Sequence, residues 1–168
     1  MLQRKVFYGL FSLALAGQAL ADDGCDKFAW SVTEERGLFS AGAKPSVDSG
    51  TTLTSLPTNA FVLKLKPSAA VPWVLPPERD RSAAGSFGGI VDLPPPAQAG
   101  IYQITLSADA WVDVAQDNRY ARAVGSSGRS DCEGLRKSLR IELRQLPLTL
   151  QFSGIPADTI TVAIKPVQ

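Results

Sequence analysis

The sequence predicts a mainly β protein, an antiparallel β-sandwich of jelly-roll type with one short helix near its N-terminus. Runs of β-branched, aromatic and alternating apolar residues recur about every 8–12 residues and are separated by turn residues. The chain has 168 residues, of which 45% are hydrophobic, and many of its 14 Gly and 12 Pro lie between these runs, where turns are expected. No helical pattern separates the strands, so the crossovers that a parallel sheet needs are missing.

The N-terminal residues have the three parts of a secretory signal peptide. Arg4 and Lys5 precede a short apolar run, and small residues stand at minus three and minus one before a cut after Ala21. The run is shorter than the ~20 residues that span a bilayer. We therefore predict a signal peptide over residues 1–21 and a single β-sandwich domain over residues 22–168, periplasmic or secreted, with no transmembrane segment after cleavage.

The cysteine content predicts a disulfide bond. Cys25 and Cys132 are the two cysteines of the chain, and both follow the predicted cut. An even pair in an oxidising compartment is most simply a disulfide. A reactive thiol is the alternative, although the chain has no histidine to assist it.

The predicted helix covers residues 26–41. Phe28, Val32, Glu35 and Phe39 follow three-to-four-residue spacing there. Asp26 is placed to cap the first turn. The segment should form a short amphipathic helix that the disulfide ties to the domain.

The first half of the domain predicts four extended segments. The clearest is Ala60–Lys66, where Phe61, Leu63 and Leu65 alternate with more polar neighbours, as in a half-buried strand. The others are an edge strand around Thr51–Leu53, an edge strand or extended segment at Trp73–Leu75 between prolines, and a strand at Phe87–Leu93.

The second half predicts a β-meander followed by three further strands. Gly100–Ser107 and Ala110–Gln116 are joined by Ala108 and Asp109, and Asp117 and Asn118 form the next turn. Arg119–Val124 completes the meander, and the three further strands are predicted at Arg136–Arg144, Leu148–Phe152 and Thr159–Ile164.

The composition excludes several classes of function. The chain has no histidine, so it cannot build a Ser-His-Asp triad or a histidine-ligated metal site. Its net charge of +1 does not favour a nucleic-acid partner. A hydrolase that uses two carboxylates stays open, with Glu133 and Glu142 as the residues to test.

Three groups of residues are candidate binding sites, and each has a plain structural alternative. Arg136, Arg140 and Arg144, together with Lys137, lie along one predicted strand and would meet an anionic partner, or only keep a sheet face soluble. Alternation along this strand places Lys137, Leu139, Ile141 and Leu143 on one face. It places Arg136, Ser138, Arg140, Glu142 and Arg144 on the other face, which we expect to be the outer one.

Aromatic residues form the second group. Trp73 and Tyr120, together with Trp111 and Tyr102, would stack on a sugar or peptide, with Arg119 and Arg122 as a polar rim. The alternative places Tyr102 and Trp111 in the core.

Acidic residues form the third group. Asp109, Asp113 and Asp117 recur every four residues and would bind Ca²⁺ through hard oxygen ligands. The alternative is that these aspartates serve strand ends and turns, where the residue type is common. No other cofactor is expected.

The order of strands resembles a known family. A Pro-rich lead-in, the run Ala-Gly-Ile-Tyr-Gln-Ile-Thr-Leu-Ser, the strand with Trp111 to Val114, Leu-Thr-Leu-Gln-Phe-Ser-Gly and a closing Ile-Thr-Val-Ala-Ile follow one another over residues 94–164. This resembles the bacterial pre-peptidase C-terminal domain and related jelly-roll modules, which implies a sandwich that accompanies other proteins. The likeness covers under half of the chain, and these 168 residues contain no peptidase of the kind that such modules usually accompany.

The whole mature chain also resembles small exported proteobacterial proteins, some of which carry an automatic label of homogentisate dioxygenase. The residues that carry this likeness surround Cys25 and Cys132. Such an enzyme would hold iron through histidines, which this chain lacks. We expect a non-catalytic binding or accessory module that recognises a protein or glycan of the cell envelope. The alternatives are a structural subunit of an envelope complex and the carboxylate hydrolase.

Overall fold

The computed structural model describes residues 24–79 and 83–167, and it confirms the mainly β sandwich. The predicted signal peptide lies outside the described residues. Among the described residues, no helix is long and apolar enough to cross a membrane.

The described residues form one α-helix, α1 (Thr33–Ser40), and short 3-10 turns at Gly24–Lys27 and Ser68–Ala70. Their strands are, in chain order, β1 (Ser46–Asp48), β2 (Thr51–Thr52), β3 (Phe61–Lys64), β4 (Lys66–Pro67), β5 (Phe87–Leu93), β6 (Gly100–Leu106), β7 (Trp111–Gln116), β8 (Arg119–Tyr120), β9 (Ala123–Gly128), β10 (Lys137–Leu143), β11 (Leu148–Ile155) and β12 (Thr159–Pro166).

The strands build two sheets. The first sheet has the order β1-β3-β12-β6-β10-β9, and the second has the order β2-β5-β11-β7-β8, with β4 also paired to β5. Most neighbouring strands are antiparallel, as predicted, but β1 pairs with β3 and β2 pairs with β5 in parallel. Both parallel pairs lie at sheet edges, so both sheets are mixed.

The core lies between the sheets and takes alternate residues of the long strands other than β9. From the first sheet it receives Leu63 and Ile104, and from the second Val114 and Phe152, all almost completely buried. This is the period of two that a strand with one buried face must have. The sequence pattern of β3, with Phe61, Leu63 and Leu65 inside, is confirmed.

The predicted β-meander is wrong. β6 lies in the first sheet between β12 and β10, whereas β7 lies in the second sheet between β11 and β8. The link through Ala108 and Asp109 therefore crosses from one sheet to the other, and Ala110 enters the core at its end. The next turn is confirmed, because Asp117 and Asn118 both have φ of 54° and join β7 to β8 as a tight hairpin.

The predicted helix over residues 26–41 is too long. α1 begins at Thr33, because Phe28 and Val32 pack into a small second cluster with Leu135 instead of onto a helix face. The predicted disulfide is confirmed within this cluster: Cys25 and Cys132 are bonded, with their Cα atoms 4.6 Å apart.

Candidate functional site

A proline-rich segment, residues 71–79, crosses the outer face of the second sheet, and we call it the strap. The ring of Trp73 lies on Gly88, where an added Cβ would come within 2.7 Å of the indole. The edge strand predicted as one form of Trp73–Leu75 does not occur, since these residues join no strand ladder and Val74 and Leu75 form a bend. Prolines in the strap remove the N–H donors that a ladder needs.

Gln151 fastens the strap to the sheet. Its Oε1 accepts hydrogen bonds from the N–H groups of Val74 (2.7 Å) and Leu75 (3.1 Å), and its Nε2 donates to the Leu75 carbonyl (2.9 Å). Gln151 is on the outer face of β11 and only 1% exposed. A buried side-chain amide therefore supplies the hydrogen-bond partners for backbone groups of the strap that a neighbouring strand would otherwise have supplied.

Asp113 fastens the other end of the strap. Its carboxylate accepts from Trp111 Nε1 (2.8 Å) and from the N–H of Glu78 (3.2 Å), and the residue is only 4% exposed. Burial raises the pKa of Asp113, the two hydrogen bonds oppose this shift, and the negative charge of Glu78 raises the pKa further. Asp113 is thus a desolvated carboxyl beside a second carboxyl.

Aromatic and cationic groups surround this carboxyl. The Arg79 guanidinium lies 4.6 Å from the centroid of the Trp111 ring, and Lys137 Nζ lies 5.5 Å from it. Tyr120 pairs with Ala115 on the same outer face and donates its hydroxyl to the Pro76 carbonyl. Desolvation and the charges of Asp113 and Glu78 raise the pKa of Tyr120, so the phenol stays a donor.

Stability should fall with rising pH because of Asp113, and the Asp113→Asn variant should lack this effect. A carboxyl whose folded pKa is raised stabilises the fold fully below its ordinary value of 3.8, and the contribution is lost as pH rises through the folded pKa. The free energy of unfolding of the wild type, minus that of Asp113→Asn, should therefore decrease as the pH rises from below 3.8 through the raised pKa of the folded state. Urea unfolding at several pH values measures it, and a difference that stays constant or increases contradicts the assignment.

A groove runs along the outer face beside the strap, and we call it the outer groove. Its volume is about 510 Å³, and its polar lining includes Asp92, Asp117, Asn118 and Thr149. Thr149 Oγ1 donates to Asp92 Oδ1 at 2.5 Å. The volume falls in the range of small-molecule sites.

The outer groove adjoins the aromatic residues. Val74, which is 46% exposed, forms part of its lining from the strap side. Ala115 also lines the groove and is the cross-strand neighbour of Tyr120, which is 36% exposed. Carboxylates, an amide and a hydroxyl therefore line one concave surface, and an exposed ring stands next to it, one strand away from the lining residue Ala115.

The chain gives no match in the comparisons with known proteins: no family model, no curated protein and no solved structure matches it. The resemblance to pre-peptidase C-terminal domains stays a prediction. The function must therefore be argued from the site itself.

The predicted basic strand does not form one surface. Lys137 points into the sandwich and donates to the Ala110 carbonyl at 2.6 Å. Arg140 stacks over Trp30 at 4.5 Å, Arg136 donates to the Ser130 carbonyl, and Arg144 lies 3.8 Å from Asp117. The outer face that the sequence assigned to solvent is partly covered by the N-terminal segment.

The three aspartates of the predicted calcium site are not brought together. Asp109 lies 3.6 Å from Lys137, Asp117 lies 3.8 Å from Arg144, and Asp113 bonds to the strap. Within residues 24–79 and 83–167, no group of three or more acidic, cysteine or histidine side chains could hold a metal ion. Basic neighbours occupy two of the carboxylates, which removes the negative field that Ca²⁺ requires.

The predicted aromatic platform is divided. Trp111 and Tyr120 share the outer face of the second sheet, whereas Trp73 is partly buried against Gly88. Arg122 pairs with Glu142 of the first sheet at 3.6 Å. Tyr102 is buried in the core, as the alternative predicted.

Sequence reasoning missed Gln151, Asp92 and Thr149 as site residues. Each points to the outer face of the second sheet, on β5 or β11. The available signal was alternation in β11, where Thr149, Gln151 and Ser153 recur at every second position between apolar residues. In β5, Asp92 is the single charged residue of an otherwise apolar strand and offers no such pattern. Nothing in the sequence indicated which outward face a proline-rich segment would cover.

Proposed function

We propose that this protein is an exported, non-catalytic binding module that recognises a glycan in the outer groove. The observation that carries the proposal is the exposed Tyr120 ring beside a groove lined by Asp92, Asn118 and Thr149. Aromatic rings stack on the apolar faces of sugars, while carboxylate, amide and hydroxyl groups bond to sugar hydroxyls.

The fastened strap supports binding by a preformed site. Gln151 and Asp113 together bond to three backbone N–H groups of the strap, so the groove wall is held before any ligand arrives. A rigid site loses less entropy on binding than a mobile one.

The disulfide supports the export part of the proposal, because such bonds persist in oxidising compartments. The chain also lacks the histidine chemistry of common hydrolases. The glutamates of the hydrolase alternative lie apart: Glu142 is near the end of β10, and Glu133 lines a pocket near its start. The strand between them spans roughly 15 Å or more, beyond the ~9.5 Å limit for a glycosidase pair.

The test is a glycan array of bacterial envelope polysaccharides probed with the purified mature protein, followed by calorimetry on each glycan that binds. Tyr120→Ala should weaken binding about tenfold, equivalent to about 1.4 kcal/mol, because it removes the stacking ring. Tyr120→Phe keeps the ring and should stay within about twofold of the wild type.

A second variant examines the polar side of the groove. Asn118→Gly removes the amide but keeps the turn, since Asn118 already has a positive φ that glycine adopts freely. Its affinity should also fall, with an unchanged melting temperature. The proposal is wrong if no glycan binds, or if glycans bind equally to the wild type, Tyr120→Ala and Asn118→Gly.

A further inference from the structure

The edge strand β9 differs from the other edges of the sandwich. It has six residues, whereas the edge strands β1, β2 and β8 have three, two and two. Proteins shorten or charge their edge strands to prevent pairing with another chain. β9 contains neither lysine nor proline, and its sequence is Ala-Val-Gly-Ser-Ser-Gly.

The register shows which backbone groups of β9 face outward. Arg129 donates its N–H to the Arg136 carbonyl, and the antiparallel pairing with β10 continues from there without a shift through Ser127. Residues of an antiparallel strand direct their backbone groups alternately to either side. Because Arg129 and Ser127 face β10, Ser126 and Gly128 direct their N–H and C=O groups to the open edge.

The side chains leave this edge accessible. Trp30 lies over Gly125 and the Ala29 N–H donates to Ser127 Oγ, so the N-terminal segment covers the sheet face at these two residues. Ser126 and Gly128, whose backbone groups face outward, are exposed, and Val124 is 44% exposed. The ends of the strand are charge-compensated: Arg122 pairs with Glu142 at 3.6 Å, and Arg129 pairs with Asp131 at 2.7 Å. A charged partner gains little at such ends, whereas two copies meet without like-charge repulsion.

We propose that a second copy of this chain pairs with β9 in antiparallel fashion about a two-fold axis at Ser127. Ser126 of each copy then exchanges two hydrogen bonds with the partner's Gly128, which uses all four outward groups of each strand. The first sheet continues across the dimer, as in other interactions by strand addition. This surface belongs to the first sheet and does not involve the outer groove.

The first experiment measures self-association of the mature protein by sedimentation velocity, from about 10 µM to about 1 mM, because strand pairing alone buries less than a standard interface. The wild type should form dimers as concentration rises. Ser126→Pro should remain monomeric, since it removes an outward N–H while leaving the bonds to β10 in place. Ser127→Ala is the control: it removes the side-chain acceptor of the Ala29 N–H but no outward backbone group, and it should dimerise like the wild type.

The second experiment uses charge and remains informative if Ser126→Pro fails to fold. Across the proposed axis, the side chains at position 126 are diagonal neighbours within reach of long side chains. Ser126→Lys and Ser126→Glu should each weaken the dimer about tenfold, and an equimolar mixture should recover it. A wild type that is monomeric at every concentration overturns the proposal, as does a dimer that these three Ser126 substitutions leave unchanged.

Discussion

Replacing both cysteines, in Cys25→Ser/Cys132→Ser, should lower the free energy of unfolding by about 4–5 kcal/mol, because the bond closes a loop across a separation of 107 residues. This is a large part of the ~5–15 kcal/mol that stabilises a typical domain. The loss should appear in urea unfolding followed by circular dichroism.

Reduction supplies the control for this prediction. A reductant should lower the unfolding midpoint of the wild type to that of the double variant, and it should leave the double variant unchanged. The prediction fails if reductant has no effect on the wild type. It also fails if the double variant lies within about 1 kcal/mol of the wild type, which is the size of an ordinary surface substitution.

The second large effect should come from the core. Phe152→Ala should cost about 3–5 kcal/mol, because Phe152 is fully buried on β11 between the sheets and its removal leaves a cavity. Thermal and urea unfolding both measure this loss.

Tyr120→Ala is the matched control, since it removes an aromatic ring that is 36% exposed on the neighbouring part of the same sheet. Its stability loss should stay near 1 kcal/mol or below. Equal losses for Phe152→Ala and Tyr120→Ala would contradict the placement of the core. A small loss for Tyr120→Ala would also make that variant a clean test of glycan binding.

Much of the strand pattern could be predicted from local alternation. The bounds of β5, Phe87–Leu93, agree with the prediction, and the inward residues of β3 and β10 are those that the alternation selected. The reason is that burial of one strand face requires apolar residues at every second position, and this pattern can be recognised from a few consecutive residues of the sequence.

Burial of the outward face of β10 could not be predicted from alternation. Alternation assigned Ser138 and Arg140 to solvent, yet Ser138 is completely buried and accepts a hydrogen bond from Trp30 Nε1 at 2.8 Å. A residue 108 positions earlier in the chain covers it. The disulfide of Cys25 holds that N-terminal segment against the sheet.

The burial of Glu35 on the helix also could not be predicted from its local sequence. Sequence spacing placed it on a short amphipathic helix, but the structure buries its side chain, which accepts from Gln103 Nε2 at 2.6 Å. Lys165 Nζ lies 3.9 Å away on β12. A buried carboxylate needs such partners, and they come from strands that are far away in sequence.

By itself, the sequence determined the class of fold, most strand positions and the tight turn after β7, since each of these depends on local residue chemistry. It also determined the disulfide, because two cysteines allow only one intramolecular pairing. Only the tertiary structure decided that β6 and β7 separate into different sheets, that the strap covers one outer face, and that Asp92, Thr149 and Asn118 meet at one groove. Those relations depend on which distant strands become neighbours, and alternation within a strand carries no information about its neighbours.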